Sequence, residues 1–234
     1  MARAFLTVDD VTQIFPLSGG GRYVALKDID LDVAEGEFIA LIGHSGCGKS
    51  TVGKAILRLY PITDGEVWLD GKRIDNMSGG DLRPMRQRMQ VVFQDPFSSL
   101  NPRMKIRDIL GEPLTNFGLV KSGAELREKV AELMDKVRLP RDAIDRYPHE
   151  FSGGQRQRIG IARALAPGAD MIICDEAVSA LDVSVKAQII NLLVDLQRDL
   201  GLGYLFITHN IGVVHYLADQ VAVMYLGRIV ESGP

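Results

Sequence analysis

The chain has 234 residues, of which 46% are hydrophobic and 24% are charged. A chain of this length forms one large domain or one domain with a sizeable insertion, and its composition excludes intrinsic disorder and a fibrous repeat. The 27 Lys and Arg residues and the 30 Asp and Glu residues are scattered along the chain and give a net charge of -3. This balance gives no support to a nucleic-acid partner.

The apolar runs of the sequence are short. The longest, such as Phe38–Ile42, fall far short of the roughly 18 residues that a membrane-spanning helix requires, and the segment Met1–Asp10 lacks the regions of a secretory signal. The two cysteines, Cys47 and Cys174, are far apart, so neither a disulfide framework nor a zinc site is indicated. These features predict a cytoplasmic protein that does not cross a bilayer by itself.

Short apolar runs that end in a polar or glycine-rich turn alternate with segments of helical period. This pattern predicts an α/β fold with a mainly parallel sheet and crossover helices. The predicted strands are Phe38–Ile42, Gln90–Phe93, Met171–Cys174, Tyr204–Ile207 and Val221–Tyr225. Two helical stripes are formed by Val52, Ile56 and Leu59, and by Ile189, Leu192, Leu193, Leu196 and Leu200.

A small antiparallel sheet is predicted near the start of the chain. Phe5–Val11 has strand character, and the alternating run Glu66–Asp70 ends in Asp70-Gly71, which is typical of a hairpin turn.

The middle of the chain, Asp95–Ala166, has almost no strand signal and predicts a helical insertion. Ser122 and Glu125 have the spacing of a capping box. The residues that follow on one helical face are Leu126, Val130, Leu133, Met134 and Val137.

The segment 43–51 matches the phosphate-binding pattern G-x-x-x-x-G-K-[ST], between an apolar strand and an amphipathic helix. Glycines let the backbone N–H groups point at phosphate oxygens, and the helix N-terminus adds a favourable dipole. Lys49 supplies a positive charge for the terminal phosphates, and the Ser50 hydroxyl is suited to ligate Mg2+.

Two adjacent carboxylates, Asp175 and Glu176, follow a predicted strand. Neighbouring side chains on extended backbone point in different directions, so the two acids suit different roles. Asp175 is predicted to hold Mg2+, and Glu176 to orient or deprotonate the attacking water. His209 ends the next predicted strand and is a candidate contact of the terminal phosphate.

A second anion site is predicted at Ser152, which has the character of an N-cap and is followed by two glycines at the start of a helix. Ile159, Ala162 and Leu165 form the apolar side of this helix before Pro167. The residues alone do not explain why one chain carries two anion sites.

Taken in order, these stretches resemble the ATP-binding cassette (ABC) ATPases, the motor subunits of ABC transporters, over nearly the whole chain. The matching Walker A residues are Gly43, His44, Ser45, Gly46, Cys47, Gly48, Lys49, Ser50 and Thr51. The signature motif is Ser152, Gly153, Gly154 and Gln155, and Walker B ends at Asp175 and Glu176. The Q-loop glutamine is Gln94, the D-loop ends at Asp182, and the switch histidine is His209.

The resemblance implies a P-loop NTPase (RecA-like) core. It divides the chain into three segments. Residues 1–94 form an antiparallel β subdomain and the first part of the core, residues 95–166 form the helical insertion that ends in the signature helix, and residues 167–234 form the rest of the core. It also implies ATP and Mg2+ as cofactors, with Gln94 as a sensor of the metal and the water.

In this family two cassettes dimerise head to tail, so that each ATP lies between the Walker A loop of one subunit and the signature motif of the other. The partner implied is a second copy or a paralogue. The resemblance also implies integral membrane subunits as partners and a position on the cytoplasmic face of the membrane. Adenine is expected to stack on an aromatic residue near the start of the chain, either Phe15 or Tyr23.

The sequence is similar to two importer subfamilies. Residues 20–28 and 43–47 resemble nitrate or bicarbonate importer ATPases, whereas residues 91–102 and 147–152 resemble di- and oligopeptide importer ATPases. The cargo is therefore a peptide or a small anion. The divided resemblance suggests a recombined or engineered chimera with a junction between Thr51 and Leu59, a hypothesis that one natural relative spanning both parts would reject.

Three other functions are weighed against an importer ATPase. A soluble ABC protein acting on nucleic acid or ribosomes usually carries tandem cassettes or long coiled-coil insertions. A GTPase would carry an N-K-x-D motif, and a small-molecule kinase an arginine-rich lid. None of these is evident in the sequence.

Overall fold

The computed structural model describes residues 4–95 and 99–234, which form two β-sheets and seven α-helices. The strands are β1 (Ala4–Pro16), β2 (Arg22–Ala34), β3 (Phe38–Ile42), β4 (Asp64–Leu69), β5 (Lys72–Arg73), β6 (Met89–Val92), β7 (Met171–Asp175), β8 (Gly203–Thr208), β9 (Gln220–Tyr225) and β10 (Arg228–Gly233). The helices are α1 (Lys49–Ile56), α2 (Gly79–Arg88), α3 (Ile106–Asn116), α4 (Gly123–Lys136), α5 (Gly153–Leu165), α6 (Val183–Leu200) and α7 (Ile211–Leu217).

The larger sheet has six strands in the order β10-β9-β3-β8-β7-β6. Strand β3 pairs in parallel with β8 and β9, and β7 pairs in parallel with β6 and β8, whereas β10 is antiparallel to β9. The prediction of a mainly parallel α/β sheet is confirmed. Of the five predicted strands, β6 is shifted by one residue and ends at Val92 rather than Phe93.

The parallel sheet is buried on both faces, and the alternation of side chains divides the core in two. Ile172 and Cys174 of β7 belong to a cluster with the apolar sides of α3, α4, α5 and α6. Met171 and Ile173 of the same strand belong to a second cluster with α1 and the smaller sheet. The near-continuous apolar sequence of the strand is explained by this two-sided burial.

The smaller sheet is antiparallel, in the order β2-β1-β4-β5. The predicted Asp70-Gly71 hairpin is confirmed: both residues have positive φ, 48° and 72°, as a type I′ turn requires. Strand β2 was not predicted, although residues 28–33 alternate strictly between acidic and apolar residues. The buried Ile29, Leu31 and Val33 are the signal that the sequence analysis missed.

The region between β6 and β7 contains α3, α4 and α5, with two short 3-10 helices at Arg141–Asp145 and Pro148–Glu150. Its predicted helical character is confirmed, but the predicted capping box of α4 is only half formed. The Ser122 hydroxyl accepts a hydrogen bond from the Glu125 N–H at 3.2 Å, whereas the Glu125 carboxylate accepts from the Lys121 N–H at 2.8 Å.

The predicted apolar stripes are wrong at two residues, Leu59 and Leu200, which are exposed. Leu59 is 53% exposed, because α1 ends at Ile56 and Arg58 takes a left-handed conformation with φ of 51° that turns the chain. Leu200 is 45% exposed at the last position of α6, whereas the other four residues of its stripe are buried.

Within the described ranges, no helix combines the length and the apolar character needed to span a bilayer. The division of the chain into 1–94, 95–166 and 167–234 remains a prediction, because the helices of the middle segment share one hydrophobic cluster with strands of the sheet.

We expect Phe206→Ala to lower the free energy of unfolding by about 3 to 5 kcal/mol, because Phe206 is fully buried against Phe38 and its loss leaves a cavity. Leu200→Ala, at an exposed position, should change it by less than about 0.5 kcal/mol. Urea denaturation of both variants measures the difference. Equal losses would contradict the assignment of Phe206 to the core.

Candidate nucleotide-binding site

The candidate residues lie along one edge of the parallel sheet. Strand β3 ends at Ile42 and leads into the phosphate-binding loop 43–48, β7 ends at Asp175, and β8 ends at Thr208, before His209. The carboxyl ends of parallel strands meet at the same edge, where ligands of open α/β sheets bind. The topology therefore brings together segments that are more than 120 residues apart in sequence.

The loop residue Gly48 has a conformation that only glycine adopts without strain. Its φ is 111°, and a Cβ atom there would lie 2.9 Å from the Ala25 carbonyl oxygen. Gly48 is also the N-cap of α1 and provides no side-chain cap. The first N–H groups of the helix therefore have no competing side-chain acceptor at this position, which suits an anion.

Lys49 is buried at the first position of α1. Its ammonium group donates hydrogen bonds to the carbonyl oxygens of Gly43, at 2.8 Å, and His44, at 2.9 Å. These two bonds hold the positive charge at the start of the loop. The predicted contact of Lys49 with phosphate remains a prediction.

Ser50 and Asp175 join α1 to β7. The Ser50 hydroxyl donates a hydrogen bond to Asp175 Oδ1 at 2.7 Å. Burial raises the pKa of the Asp175 carboxyl above its usual value, and the bond from Ser50 partly opposes this effect. A carboxylate held at a desolvated position is stabilised in its charged form by a nearby cation.

Glu176 lies next to His209. The Nδ1 atom of His209 is 3.4 Å from Oε1 of Glu176, and the Glu176 side chain is mostly buried whereas that of His209 is about half exposed. Glu176 has a positive φ of 50°, and its N–H donates to the Ile207 carbonyl at 3.0 Å. This strained turn directs Glu176 away from the sheet and toward the loop, as functional sites often require.

A cleft of about 180 Å³ connects these elements. It is lined by Tyr23, Ser45, Gly46, Gly48, Lys49, Ser50, Thr51 and Glu176. Among the described residues, the signature segment 152–155 is not part of this lining. The two predicted anion sites are therefore separate within one chain.

The signature segment forms the start of α5. Ser152 and Gln155 form a complete capping box: the Ser152 hydroxyl accepts from the Gln155 N–H at 3.3 Å, and the Gln155 side chain accepts from the Ser152 N–H at 2.9 Å. Glycine is needed at 154, where a Cβ atom would lie 2.4 Å from a methyl carbon of Val185. Asp182 precedes α6 as its N-cap and is exposed.

Phe15 and Tyr23 are directly opposite each other in the β1–β2 pair, so they lie on the same face of the sheet. Tyr23 lines the cleft, whereas the ring of Phe15 contacts Tyr60 edge-on, with ring centroids 5.3 Å apart. Tyr60 was missed by the sequence analysis. Its hydroxyl donates to the Thr51 carbonyl at 2.9 Å, and burial raises its pKa to about 12.

Gln94 is exposed and follows β6 by two residues. Because Val92 of β6 is aligned with Cys174 of β7, Gln94 lies at the same edge of the sheet as Asp175 and Glu176. Residues 91–102 carry part of the resemblance to peptide importers. Positions 96–98 of this stretch lie outside the described residues.

A family model described as "ABC transporter" matches residues 26–179. The chain belongs to the ABC transporter family. It is 47% identical to the oligopeptide transport ATP-binding protein OppF of Bacillus subtilis, over 100% of this chain and 77% of that protein. It is also 52% identical to the glutathione import ATP-binding protein GsiA of Escherichia coli O157:H7, covering 98% of this chain but 38% of that protein.

Solved structures agree with this assignment. A dimeric ATP-binding cassette, MJ0796, in a post-hydrolysis state bound to ADP and Pi, has a TM-score of 0.87 and 28% identity, over 97% of each chain. The predicted fold, a P-loop NTPase core with an antiparallel sheet and a helical region, is confirmed. The chain is an ATP-binding protein, and the proteins of its family are ATPases.

The comparisons give no support to a chimera. Single natural relatives, OppF and GsiA, match this chain on both sides of the supposed junction between Thr51 and Leu59. This is the outcome that the chimera hypothesis excluded.

We expect Tyr23→Ala to weaken ATP binding by about tenfold, because stacking of a base on an aromatic ring contributes about 1 to 3 kcal/mol. Phe15→Ala should mainly lower stability, because Phe15 packs on Tyr60. Titration with a fluorescent ATP analogue and thermal unfolding separate the two effects. A stronger loss of affinity in the Phe15 variant would mean that Phe15, and not Tyr23, stacks on adenine.

Proposed function

We propose that the chain is the ATP-binding and ATP-hydrolysing subunit of an ABC importer. The observation that carries the proposal is that Lys49, Ser50 and Glu176 line one cleft, with Asp175 bound to Ser50 at its base. The relatives named as oligopeptide transport and glutathione import proteins support import, and they favour a peptide over a small anion as the cargo. The family match supports integral membrane subunits as partners and a peripheral position on the cytoplasmic face.

A magnesium ion fits the donor set of this cleft. The Ser50 hydroxyl and the Asp175 carboxylate are hard oxygen donors only 2.7 Å apart, and Mg2+ is usually bound by one or two such groups together with phosphate oxygens and water. The Gln94 side-chain oxygen is a third candidate ligand. When bound, Mg2+ supplies positive charge next to the β- and γ-phosphates.

Lys49 binds the phosphates of ATP in this proposal. Its ammonium now donates to two neutral carbonyl oxygens, at Gly43 and His44. Anionic phosphate oxygens attract the ammonium more strongly than these carbonyl oxygens do, because the Coulomb attraction between two full charges is added to the hydrogen bond. The N–H groups at the start of α1 provide further donors for the same oxygens.

Glu176 accepts a proton from the attacking water in this proposal. Its side chain lines the cleft, and the Nδ1 atom of His209 lies 3.4 Å from its Oε1 atom. The proposal assigns His209 to the orientation of Glu176 and to contact with the γ-phosphate. Asp175 has a different role because it is directed at Ser50 instead.

The separation of the two anion sites supports a dimer. Since the signature segment does not line the cleft of its own chain, a second chain, either a copy or a paralogue, would complete the site with its Ser152. The backbone N–H groups at the start of α5 then face the γ-phosphate from the opposite side. The D-loop residue Asp182 would lie near the same interface.

We expect Glu176→Gln to reduce the kcat of ATP hydrolysis by at least about 100-fold, because the amide cannot accept the proton. ATP affinity should be retained, and an ATP-bound dimer should accumulate. Steady-state ATPase assays and size-exclusion chromatography with light scattering measure these effects. Undiminished hydrolysis in this variant would remove Glu176 from the catalytic role.

A matched pair of serines tests the role of Ser152. Ser152 and Ser122 both cap helices, through bonds of 3.3 and 3.2 Å, so replacement of either by Ala should lower stability by about 1 kcal/mol. In the Glu176→Gln background, only Ser152→Ala should reduce the ATP-dependent dimer. If both variants, or neither, reduced it, the proposed contact of Ser152 with ATP would be wrong.

A further inference from the structure

The turn between β9 and β10 consists of two residues, Leu226 and Gly227, since Tyr225 and Arg228 are paired across it. Both residues have positive φ, 45° and 80°, which is the type I′ geometry. Leu226 is 69% exposed, whereas Gly227 is buried. A large apolar side chain rarely adopts this strained conformation, so the surroundings must hold the turn in place.

The turn and the end of β9 contact the phosphate loop at three points. The Gly227 N–H donates to the Cys47 carbonyl at 2.9 Å, and the rings of Tyr225 and His44 meet edge-on with centroids 5.4 Å apart. The Met224 carbonyl oxygen lies so close to Gly43 that a Cβ atom there would be 2.3 Å from it. The hairpin thus contacts the phosphate loop at Gly43, His44 and Cys47.

The same glycine also binds the strand that carries Tyr23. The Gly227 carbonyl accepts a hydrogen bond from the Lys27 N–H of β2 at 2.8 Å. The backbone approach is close, because a Cβ atom at 227 would lie 2.9 Å from the Ala25 carbonyl oxygen. Gly227 thus connects Cys47 of the phosphate loop to Lys27 of β2. Lys27 is four residues from Tyr23, which lines the cleft.

We propose that Gly227 and Tyr225 are positioning residues of the nucleotide site: the N–H and C=O groups of Gly227 and the ring of Tyr225 hold the phosphate loop at a fixed spacing from the β2 strand. ATP has to contact Tyr23 and the phosphate loop at once, so its affinity depends on that spacing. Residue 227 lies outside the matched family segment 26–179. The inference rests on the proposed nucleotide site, but it concerns binding and not hydrolysis.

Gly227→Ala tests this role, and the Asp70-Gly71 hairpin provides a matched control. Gly71 has a similar φ, 72° against 80°, in a turn of the same length, but it belongs to the β4–β5 hairpin and not to the phosphate loop or β2. An Ala at either position is strained. The Kd for the fluorescent analogue mant-ATP is measured for both variants, alongside the kcat and KM of hydrolysis.

We expect the Kd and KM of Gly227→Ala to rise by about tenfold, corresponding to about 1.4 kcal/mol, with kcat within about twofold of the unmodified protein. Gly71→Ala should keep both constants within about twofold, with a smaller loss of stability, because Gly71 is exposed whereas Gly227 is buried against the Ala25 carbonyl. If Gly227→Ala does not fold, Tyr225→Ala replaces it, with an expected rise of about threefold in the Kd through the lost His44 contact.

The inference would be overturned if the folded Gly227→Ala variant kept its ATP affinity. It would also be overturned if Gly71→Ala lost as much ATP affinity as Gly227→Ala. Unchanged affinity in Tyr225→Ala would do the same if only that variant folds. Because mant-ATP binding is measured separately, absence of ATP turnover in the unmodified protein would count against the proposed function and leave the positioning test intact.

Discussion

The hydrogen bond between Ser50 and Asp175 joins the two segments on which the nucleotide site is built. Ser50 belongs to the helix that follows the phosphate loop, and Asp175 ends a strand 125 residues later in the chain. The two can meet only because β3 and β7 run in the same direction on either side of β8, so that their carboxyl ends lie at one edge. Glu176 directly follows β7 and His209 directly follows β8, so both lie at this same edge.

The adjacent acids Asp175 and Glu176 have different surroundings. Asp175 is desolvated, its pKa is raised by burial, and its oxygen is held by a hydroxyl. Such a carboxylate is well suited to a metal ion, which restores the charge balance that burial removes. Glu176 follows it in a left-handed turn beside His209, where its oxygen remains at the cleft. In the proposed function, this change of direction at one residue separates the acid assigned to the metal from the acid assigned to the attacking water.

Much of this site could be predicted from the sequence, because its motifs are local. The phosphate loop, Asp175 and Glu176 each follow an apolar run, and a strand followed by a turn can be recognised from a few residues. The choice between Phe15 and Tyr23 could not be made in this way. It depends on β2, which was not predicted, and on a register that places the two rings side by side. The contacts of Tyr60 and Gly227 likewise arise from tertiary packing.

The larger hydrophobic cluster has a consequence for how the molecule can move. Residues of α3, α4 and α5 are packed in one continuous apolar layer with Phe38, Tyr204 and Phe206 of the sheet, and close packing of that kind resists opening. A free hinge between the signature helix and the phosphate loop would expose part of that layer to water. Small sliding displacements of packed helices avoid this exposure. Any relative motion of Ser152 and Lys49 within one subunit is therefore expected to be a shear of a few ångströms rather than a swing of rigid halves.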